Sequence, residues 1–392
     1  MKTVCELDMC AGCGVCVNIC PKDAVSILDT MKNLNAVIDE ERCINCGACE
    51  NVCQQTHPLP LKTSASWFQG WNTDDASRAE SSSGGAAFLL MRQFIREGGY
   101  VCSCAFSEGE FPYQIVRTEG ELERFRGSKY VKSDPGGAYS EIRRLLKENH
   151  KVLFLGLPCH VGALKKFIGD GYENQLYTVD LICHGSPSVL LFTRYMRERG
   201  ICVSDVETIR FRQKTQFRLT LNSQTERQQR EEIPLAPPRV LDRYTIGFLN
   251  GLFYTENCYA CQYASLERVS DITIGDAWGS ELEGTDEGWK GISLALCQTE
   301  KGEALLKRCG LHLLPVDLEN VIAANHQLKK PTEKPISRER FFSMIESGKS
   351  VHAAVSQCYP KMCAKQDIKR ILSRFNLLKM RNPGGGVNTE SV

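Results

Sequence analysis

Two short stretches near the amino end of the chain carry the same cysteine pattern. The first reads Cys10-Ala-Gly-Cys13-Gly-Val-Cys16-Val-Asn-Ile-Cys20-Pro21, and the second reads Cys43-Ile-Asn-Cys46-Gly-Ala-Cys49-Glu-Asn-Val-Cys53. Thiolates spaced in this way wrap a tight loop around one small inorganic centre. Gly12, Gly14 and Gly47 allow the turns with positive φ that such a loop needs. The pattern therefore predicts metal-bound thiolates rather than disulfides.

Both motifs have the C-x₂-C-x₂-C-x₃-C spacing of bacterial two-cluster ferredoxins, in which the fourth cysteine binds the other cluster. This spacing assigns two [4Fe–4S] clusters, one to Cys10, Cys13, Cys16 and Cys53, the other to Cys43, Cys46, Cys49 and Cys20. We expect the fourth cysteine of each motif to start a helix that leads away. A pair of zinc knuckles is the alternative, but zinc sites usually show pairs of cysteines rather than evenly spaced quartets. Cys5 lies outside the pattern and is interpreted as a bystander.

The composition of the whole chain limits its class. The chain has 392 residues, 20 of them cysteine, and a formal net charge of +1. This charge creates no field that would attract nucleic acid, so neither DNA nor RNA is an expected partner. No apolar run approaches the ~20 residues of a membrane helix, so we expect no transmembrane segment. The first ten residues form no apolar signal region, which favours a cytoplasmic protein.

Composition also divides the chain into four segments. They are a two-cluster ferredoxin domain (1–57), a linker (58–66), a larger α/β domain (67–348) and a C-terminal segment (349–392). In the larger domain, helical patterns alternate with short apolar runs, which is typical of parallel strands covered by helices. Residues 206–233 predict a β insertion. The expected fold class is therefore α+β, with a small ferredoxin-like domain followed by a larger α/β domain.

The C-terminal segment predicts an amphipathic helix followed by a disordered tail from Asn382. Apolar residues recur there at helical spacing among basic ones, namely Ile368, Ile371, Leu372, Phe375 and Leu378. The favoured interpretation is a helix that covers its own core. The alternative is a basic helix that docks on a partner or a membrane surface.

Six motifs follow one another in the larger domain. They are Ser81-Ser-Ser-Gly-Gly85, Ser128-Lys-Tyr-Val-Lys-Ser133, Gly156-Leu-Pro-Cys-His160, Cys183-His-Gly-Ser-Pro-Ser188, Cys258-Tyr-Ala-Cys261 and Asp271-Ile-Thr-Ile-Gly-Asp-Ala-Trp-Gly279. This ordered set resembles the family of β subunits of coenzyme F420-reducing hydrogenases and dehydrogenases. The Cys-His-Gly-Ser-Pro-Ser form looks like the bacterial branch of that family, which is often found beside polysaccharide genes.

The resemblance implies a third [4Fe–4S] cluster and a flavin, FAD, in the larger domain. The positions that match the family's cluster ligands are Cys159, Cys183, Cys258 and Cys261, and the alternative is that some of them are inert buried cysteines. The candidate flavin residues are Ser82, Ser83, Gly84, Gly85, Ser128, Lys129, Tyr130, Lys132, Ser133, Asp276 and Trp278. The serine–glycine turn precedes a predicted helix, where free backbone N–H groups favour a phosphate or carbonyl oxygen. A flavin also suits the chemistry, because it exchanges single electrons with clusters and electron pairs with hydride carriers.

The sequence identifies few candidates for catalysis itself. His184, next to Cys183, is a weak candidate for a proton relay. His160 departs from the family, which usually has glutamine there, so no role is carried over to it. The remaining cysteines are expected in the core, namely Cys102, Cys104, Cys202, Cys297, Cys309, Cys358 and Cys363.

These features together predict an iron–sulfur flavoprotein oxidoreductase. It would pass single electrons through [4Fe–4S] clusters to or from a flavin that exchanges two electrons with F420 or another organic substrate. The alternatives are a non-enzymatic electron-transfer subunit that serves a catalytic partner, and a structural or sensor protein. The expected redox partner is a ferredoxin or a hydrogenase- or dehydrogenase-like subunit, and the oligomeric state is left open.

Overall fold

The amino-terminal unit is a three-stranded antiparallel sheet with two short helices. Its elements are β1 (Lys2–Thr3), α1 (Val15–Ile19), β2 (Val25–Asp29), β3 (Leu34–Ile38) and α2 (Ala48–Val52), and the strand order is β1-β3-β2. The computed structural model describes residues 1–214, 216–224, 230–375 and 377.

Each of the two short helices of this unit contains the third cysteine of a motif and ends at the fourth. Each helix begins after a glycine in the left-handed conformation, Gly14 with φ 70° and Gly47 with φ 71°. Cys20 and Cys53 cap the carboxyl ends of α1 and α2. The expectation that the fourth cysteine starts a helix is therefore wrong. The helix lies before it, and at about 1.5 Å per residue it displaces the fourth thiol from the third by about 6 Å.

The larger unit continues with further strands, helices and 3₁₀ turns. The strands are β4 (Ser66–Asn72), β5 (Tyr100–Cys104), β6 (Tyr113–Val116), β7 (Val152–Gly156), β8 (Leu176–Leu181), β9 (Val206–Arg210), β10 (Thr220–Gln224), β11 (Arg230–Pro234), β12 (Ile272–Asp276), β13 (Ser293–Cys297) and β14 (Leu311–Leu314). The helices are α3 (Asp75–Ala79), α4 (Ala86–Arg96), α5 (Ala138–Lys147), α6 (Pro158–Ile168), α7 (Val189–Arg197), α8 (Arg243–Leu249), α9 (Asp286–Lys290), α10 (Glu300–Arg308), α11 (Leu318–Ala324), α12 (Ser337–Glu346), α13 (Val351–Cys358) and α14 (Pro360–Arg374). The 3₁₀ turns are Glu119–Phe125, Val203–Asp205, Glu256–Ala260 and His326–Leu328.

One mixed sheet forms the centre of this unit, in the order β14-β4-β13-β12-β8-β7-β5-β6. Strands β12, β8, β7 and β5 are parallel neighbours, whereas both flanks are antiparallel. Strand β7 is buried at every position, as expected of a parallel strand covered on both faces. The expected fold class is confirmed. The carboxyl ends of the parallel strands meet at one edge, where ligand sites form in open α/β sheets.

The predicted β insertion is a separate antiparallel sheet in the order β11-β10-β9. Its inner face contributes Val206, Ile209 and Leu221 to a hydrophobic core shared with α7 and α8. The insertion is therefore packed on the larger domain, and its first strand leads directly to Arg212 at the edge of the site described below.

The ferredoxin unit packs directly against the larger domain. Cys13 shares a hydrophobic core with Phe154 of β7. Gln54 Nε2 donates a hydrogen bond of 2.7 Å to the carbonyl oxygen of Cys159, and Tyr139 Oη donates one of 2.9 Å to the carbonyl oxygen of Cys13. These contacts fix the first cysteine motif beside the start of α6.

The segment predicted as a linker, 58–66, also has ordered partners. The backbone of Lys62 pairs with that of Arg268, and Ser66 already begins β4. None of the helices within the described residues is both long and apolar enough to cross a membrane.

The C-terminal helix α14 differs from the favoured expectation. Its packed face holds Cys363 and Gln366, whereas Ile368, Ile371 and Phe375 are exposed by 59%, 55% and 70%. The expectation that these three residues cover the core is therefore wrong. Ile368 lies two residues beyond Gln366, which places it about 200° further round the helix. The predicted position Leu378 and the predicted tail from Asn382 lie outside the described residues.

Cys202 is a further correction. It was expected in the core with six other cysteines, but its side chain is exposed. The next residue, Val203, is 5% exposed and occupies the buried position of that turn.

Candidate functional site

The first predicted quartet is brought together inside the ferredoxin unit. The thiols of Cys10, Cys13 and Cys53 act electrostatically on that of Cys16, and Cys10 and Cys53 lie within one buried cluster with it. Burial raises the pKa of the Cys13 thiol to about 12. The backbone N–H of Gly12 donates to Cys10 Sγ at 3.4 Å, the kind of bond that cluster thiolates accept.

Cys5 is close to this quartet, although the sequence pattern did not include it. Its thiol hydrogen-bonds to the thiols of both Cys10 and Cys53, and 8% of the residue is exposed. Cys5 is therefore a neighbour of the first quartet, and its interpretation as a bystander to cluster binding stays a prediction. The signal was missed because Cys5 lies on the loop after β1, outside either spacing motif.

The second predicted quartet lines a small cavity at the surface. Cys20 of the first motif and Cys43, Cys46 and Cys49 of the second motif border the same space. Backbone N–H groups donate to two of these sulfurs, from Ala24 to Cys20 and from Asn45 to Cys43. The donor set and the space between the sulfurs fit a [4Fe–4S] cluster. Because Cys46 is exposed, this site is open to a partner.

The third group, Cys159, Cys183, Cys258 and Cys261, also converges. Cys159 lies in the first turn of α6 after β7, and Cys183 follows β8, so both lie at the carboxyl edge of the parallel strands. Cys258 and Cys261 act on the thiol of Cys183, and burial raises its pKa to about 12. Among the described residues, no three His, Cys, Asp or Glu side chains form a group that holds a single metal ion.

Lys132 lies among these four thiols. It is 6% exposed, and its Nζ lies 3.8 Å from Cys258 Sγ. Burial alone would lower the pKa of Lys132, but negative charge on Cys258, Cys159, Cys183 and Cys261 raises it above its usual value. A buried ammonium requires an anionic neighbour. A thiolate-bound cluster is anionic, so the residues present fit a third [4Fe–4S] cluster.

The first and third groups are neighbours across the domain interface. Cys13 acts electrostatically on the Cys159 thiol, and the side chain of Gln54 bridges the two regions. Gln54 also accepts a hydrogen bond from Tyr263 Oη, and both side chains are buried. The order along the molecule is therefore the surface quartet, the first quartet and the inner quartet.

A cavity of about 300 Å³ lies beyond the inner quartet. It opens at the carboxyl ends of β5, β7, β8 and β12, and Cys183 is part of its wall. Its size is in the range of small-molecule sites. The predicted flavin residues that line it are Ser82, Ser83, Gly85, Ser128, Lys129, Tyr130, Ser133, Asp276 and Trp278.

Two predicted flavin residues are placed elsewhere. Lys132 points to the thiols, as described above. Gly84 packs against the sheet, where an added Cβ would lie 2.6 Å from the backbone nitrogen of Ser293. Gly85 instead caps α4 with φ 94°, and the first residues of that helix line the cavity, where the backbone N–H of Ala86 donates to Ser293 Oγ at 3.4 Å.

The charges at the cavity come mainly from residues that sequence reasoning missed. Arg212 forms two hydrogen bonds with the carboxylate of Asp276, at 2.5 and 2.8 Å, and its guanidinium lies 5.5 Å from the ring of Trp278. Arg126 also lines the cavity and donates to the carbonyl oxygen of Ser77. No spacing motif marks these arginines, because the fold brings them in from the β insertion and from the loop after a 3₁₀ turn.

The Lys129 ammonium is less available to a bound flavin than the sequence predicts. Its Nζ donates to the carbonyl oxygens of Phe125 and Arg126, at 2.9 and 3.2 Å. Burial lowers the pKa of this ammonium. It therefore holds the wall of the cavity in place.

The two histidines of interest have different surroundings. His184 lines the cavity, and its Nδ1 lies 2.6 Å from Gln327 Nε2. Burial lowers the pKa of His184 to about 4, so the ring is neutral near neutral pH. His160 is fully buried, with Nδ1 2.9 Å from Tyr113 Oη, and lies behind the cavity wall that Tyr113 forms.

The fold and the amino-terminal cysteine quartets define an iron–sulfur protein with a two-cluster domain. Residues 9–56 match the family model of a 4Fe-4S dicluster domain. Residues 149–312 match the model described as the C terminus of the beta subunit of coenzyme F420 hydrogenase/dehydrogenase. Over these two ranges the chain is similar to 4Fe-4S dicluster domains and to the beta subunits of coenzyme F420 hydrogenase/dehydrogenase.

Two known proteins illustrate the likeness. The F subunit of F(420)H(2) dehydrogenase from Methanosarcina mazei is 22% identical over 316 residues, which are 76% of this chain and 82% of that protein. A chain in a xenon-derivatised structure of the F420-reducing [NiFe] hydrogenase complex from Methanosarcina barkeri gives a TM-score of 0.45 at 17% identity. That alignment covers 70% of this chain and 97% of the other.

Proposed function

We propose that this chain is an iron–sulfur flavoprotein oxidoreductase. It passes single electrons between [4Fe–4S] clusters and a flavin that exchanges two electrons with F420 or another organic substrate. One observation carries the proposal: Cys183 belongs both to the inner group of thiols and to the wall of the 300 Å³ cavity. A cofactor in that cavity would be in contact with the ligand shell of the inner cluster.

The order of the cysteine groups supports the electron-transfer part of the proposal. Each [4Fe–4S] cluster supplies a one-electron carrier. From the surface inward, the order is the surface quartet with the exposed Cys46, the first quartet with Cys13, and the inner quartet with Cys159. The Gln54 bond to Cys159 and the Tyr139 bond to Cys13 keep the last two groups together.

The cavity supports the flavin part of the proposal. FAD supplies the exchange between one-electron and two-electron carriers when it is bound. The amino end of α4, after Gly85, lies at the cavity, and the side chains of Arg126 and Arg212 also line it, Arg212 in an ion pair with Asp276. These groups suit the anionic phosphates of a dinucleotide. The stacked pair Tyr130 and Phe248, with ring centroids 4.3 Å apart, forms an apolar part of the wall.

F420 is proposed as the two-electron substrate because the name of the Methanosarcina mazei relative contains it. That protein is one subunit of a dehydrogenase, and we propose that this chain likewise works with a redox partner. The partner would dock at the surface quartet, where Cys46 and Ile44 are exposed.

The test is strictly anaerobic purification of the full chain with iron, sulfide and flavin quantified. The proposal requires about twelve irons and one flavin per chain, since each cluster contains four irons. F420, NAD(P)H and reduced ferredoxin are then offered in turn, and turnover with a two-electron compound is expected. About eight irons and no flavin would instead favour an electron-transfer subunit without catalysis of its own.

A pair of cysteine variants makes the iron count specific. Cys258→Ser removes a thiol of the inner group, so the iron content should fall by about four per chain. Cys202→Ser changes an exposed thiol that borders none of the groups and should leave the iron content unchanged. Equal iron contents in the two variants would contradict the third cluster.

A further inference from the structure

The side chain of Lys132 is an unusual charge for the interior of this protein. It is 6% exposed, and its hydrogen-bond partner is the sulfur of Cys258 at 3.8 Å. Within the described residues, no carboxylate forms an ion pair with Lys132, so the nearest partner of its ammonium is the Cys258 sulfur. An ammonium held in this way is unfavourable unless negative charge lies beside it.

The backbone holds Lys132 in this position independently of the thiols. Its N–H donates to the carbonyl oxygen of Pro187 at 2.8 Å, in the loop that follows Cys183. Its neighbours Val131 and Ser133 are buried at 2% and 5% exposure. The ammonium therefore cannot swing to solvent without disturbing this packed segment.

The first amino-terminal group offers a contrast. The thiols of Cys13 and Cys16 are influenced by burial, by backbone N–H groups, by Gln54 and by other thiols, with no cation among their leading influences. The inner thiols have the Lys132 ammonium beside Cys258, and the Arg268 guanidinium also acts on Cys261. The charge environment thus distinguishes the inner group from its nearest neighbour.

We infer that Lys132 raises the reduction potential of the inner cluster above that of the neighbouring cluster at Cys13, so that electrons collect beside the cavity. The inference deepens the proposed function and rests on its third cluster. A thiolate-bound cluster carries net negative charge, and one-electron reduction adds one more negative charge without breaking a bond. A fixed ammonium therefore stabilises the reduced form more than the oxidised form, and cluster charge and hydrogen bonds to sulfur are known controls of potential.

The test is a redox titration of the full chain, followed by electron paramagnetic resonance of each cluster. In Lys132→Met the reduction equilibrium of the inner cluster should shift at least tenfold toward the oxidised form, which is about 59 mV for one electron. Lys132→Arg keeps the charge and should restore most of the potential. The signals of the two amino-terminal clusters should not move and report that the chain is folded.

Lys165→Met is the matched control. Lys165 lies on the same helix as Cys159 and is half-buried, but its Nζ donates to the carbonyl oxygen of Val269 rather than to sulfur. The potential of the inner cluster should be unchanged in this variant. Loss of the inner cluster in Lys132→Met but not in Lys132→Arg would also support the inference, because it shows that the ammonium offsets cluster charge.

Two results would overturn the inference. One is an inner cluster of unchanged potential in Lys132→Met. The other is an equal shift, or equal loss of the cluster, in Lys132→Arg, which would point to shape rather than charge. Failure of the proposed function looks different, because the wild-type chain itself would then show only the two amino-terminal signals.

Discussion

The junction between the first and inner cysteine groups leads to a sharp prediction at Gly162. This residue lies on α6 where the helix faces Gln54 and Tyr263. A Cβ added there would lie 2.8 Å from Gln54 Oε1 and 3.0 Å from Tyr263 Cζ, and it would collide with the Tyr263 hydroxyl. Gln54 is 0% exposed and Tyr263 is 2% exposed, so neither side chain has room to move away.

Gly162→Ala should therefore destabilise the protein. Overpacking of a tight site typically costs about 1–3 kcal/mol. The hydrogen bond between Tyr263 and Gln54 is broken as well, and a buried polar group left without its partner costs about 1–3 kcal/mol. Both effects arise from the same displacement of Tyr263, so their costs do not simply add. We therefore expect the free energy of unfolding to fall by about 2–4 kcal/mol.

The assay is urea unfolding under anaerobic conditions, followed by fluorescence and by the visible absorbance of the clusters. Hydrogen exchange should also become faster at residues 53–57 and 158–163, on the two sides of the junction. Gly120→Ala is the control, because no atom lies within 4 Å of an added Cβ there. That substitution should change stability by less than about 0.5 kcal/mol. Equal urea midpoints for the wild type and Gly162→Ala would refute the reasoning.

Three further predictions concern other buried groups. The side chains of Arg268 and Asp180 form an ion pair and are only 1% and 0% exposed, so Arg268→Met leaves the Asp180 carboxylate buried without its partner and should lower the free energy of unfolding by about 3–5 kcal/mol. Arg308→Met, in an exposed pair with Glu97, should lower it by less than about 1 kcal/mol. Similar urea midpoints for the two variants would contradict this prediction. Ser188→Ala removes both the N-cap of α7 and the 2.6 Å hydrogen bond to Asp29, whereas Thr285→Ala removes only an exposed N-cap. In thermal unfolding, Ser188→Ala should therefore destabilise the protein by about 1 kcal/mol more than Thr285→Ala. Burial first, then Arg78 and Arg212, lower the pKa of Lys214 from 10.5 to about 8. The folded state thus binds fewer protons than the unfolded state between these values, and stability rises with pH across this window. Lys214→Met should remove that part of the rise, and identical pH profiles of the urea midpoint would speak against it.

The local cysteine pattern was enough to predict the amino-terminal unit. Thiol spacing and the exchange of Cys20 and Cys53 between motifs follow from a short loop and a five-residue helix, which are local features. The alternation of apolar runs likewise predicted the parallel centre of the sheet. The error about where the helices start arose because a helix as short as Val15–Ile19 leaves no periodic signal.

The cavity was predicted in part. The residues on short motifs, such as Ser82 and Asp276, lie in its wall, because a turn or a strand end carries its neighbours to the same place. Lys132 could not be assigned from its motif, since residues 128–133 form neither a helix nor a strand and no periodicity predicts where each side chain points. Tyr130 faces the cavity, whereas Lys132 faces the inner thiols.

By itself, the sequence determined the metal chemistry of the amino end and the class of fold, because both depend on the spacing of residues near one another in the chain. Only the tertiary structure decided which distant residues meet. It brought Arg212 of the β insertion to Asp276, placed Gln54 between two cysteine groups, and buried Lys132 among four thiols. Such meetings depend on how strands and domains pack, and packing is set by the whole core rather than by any single motif.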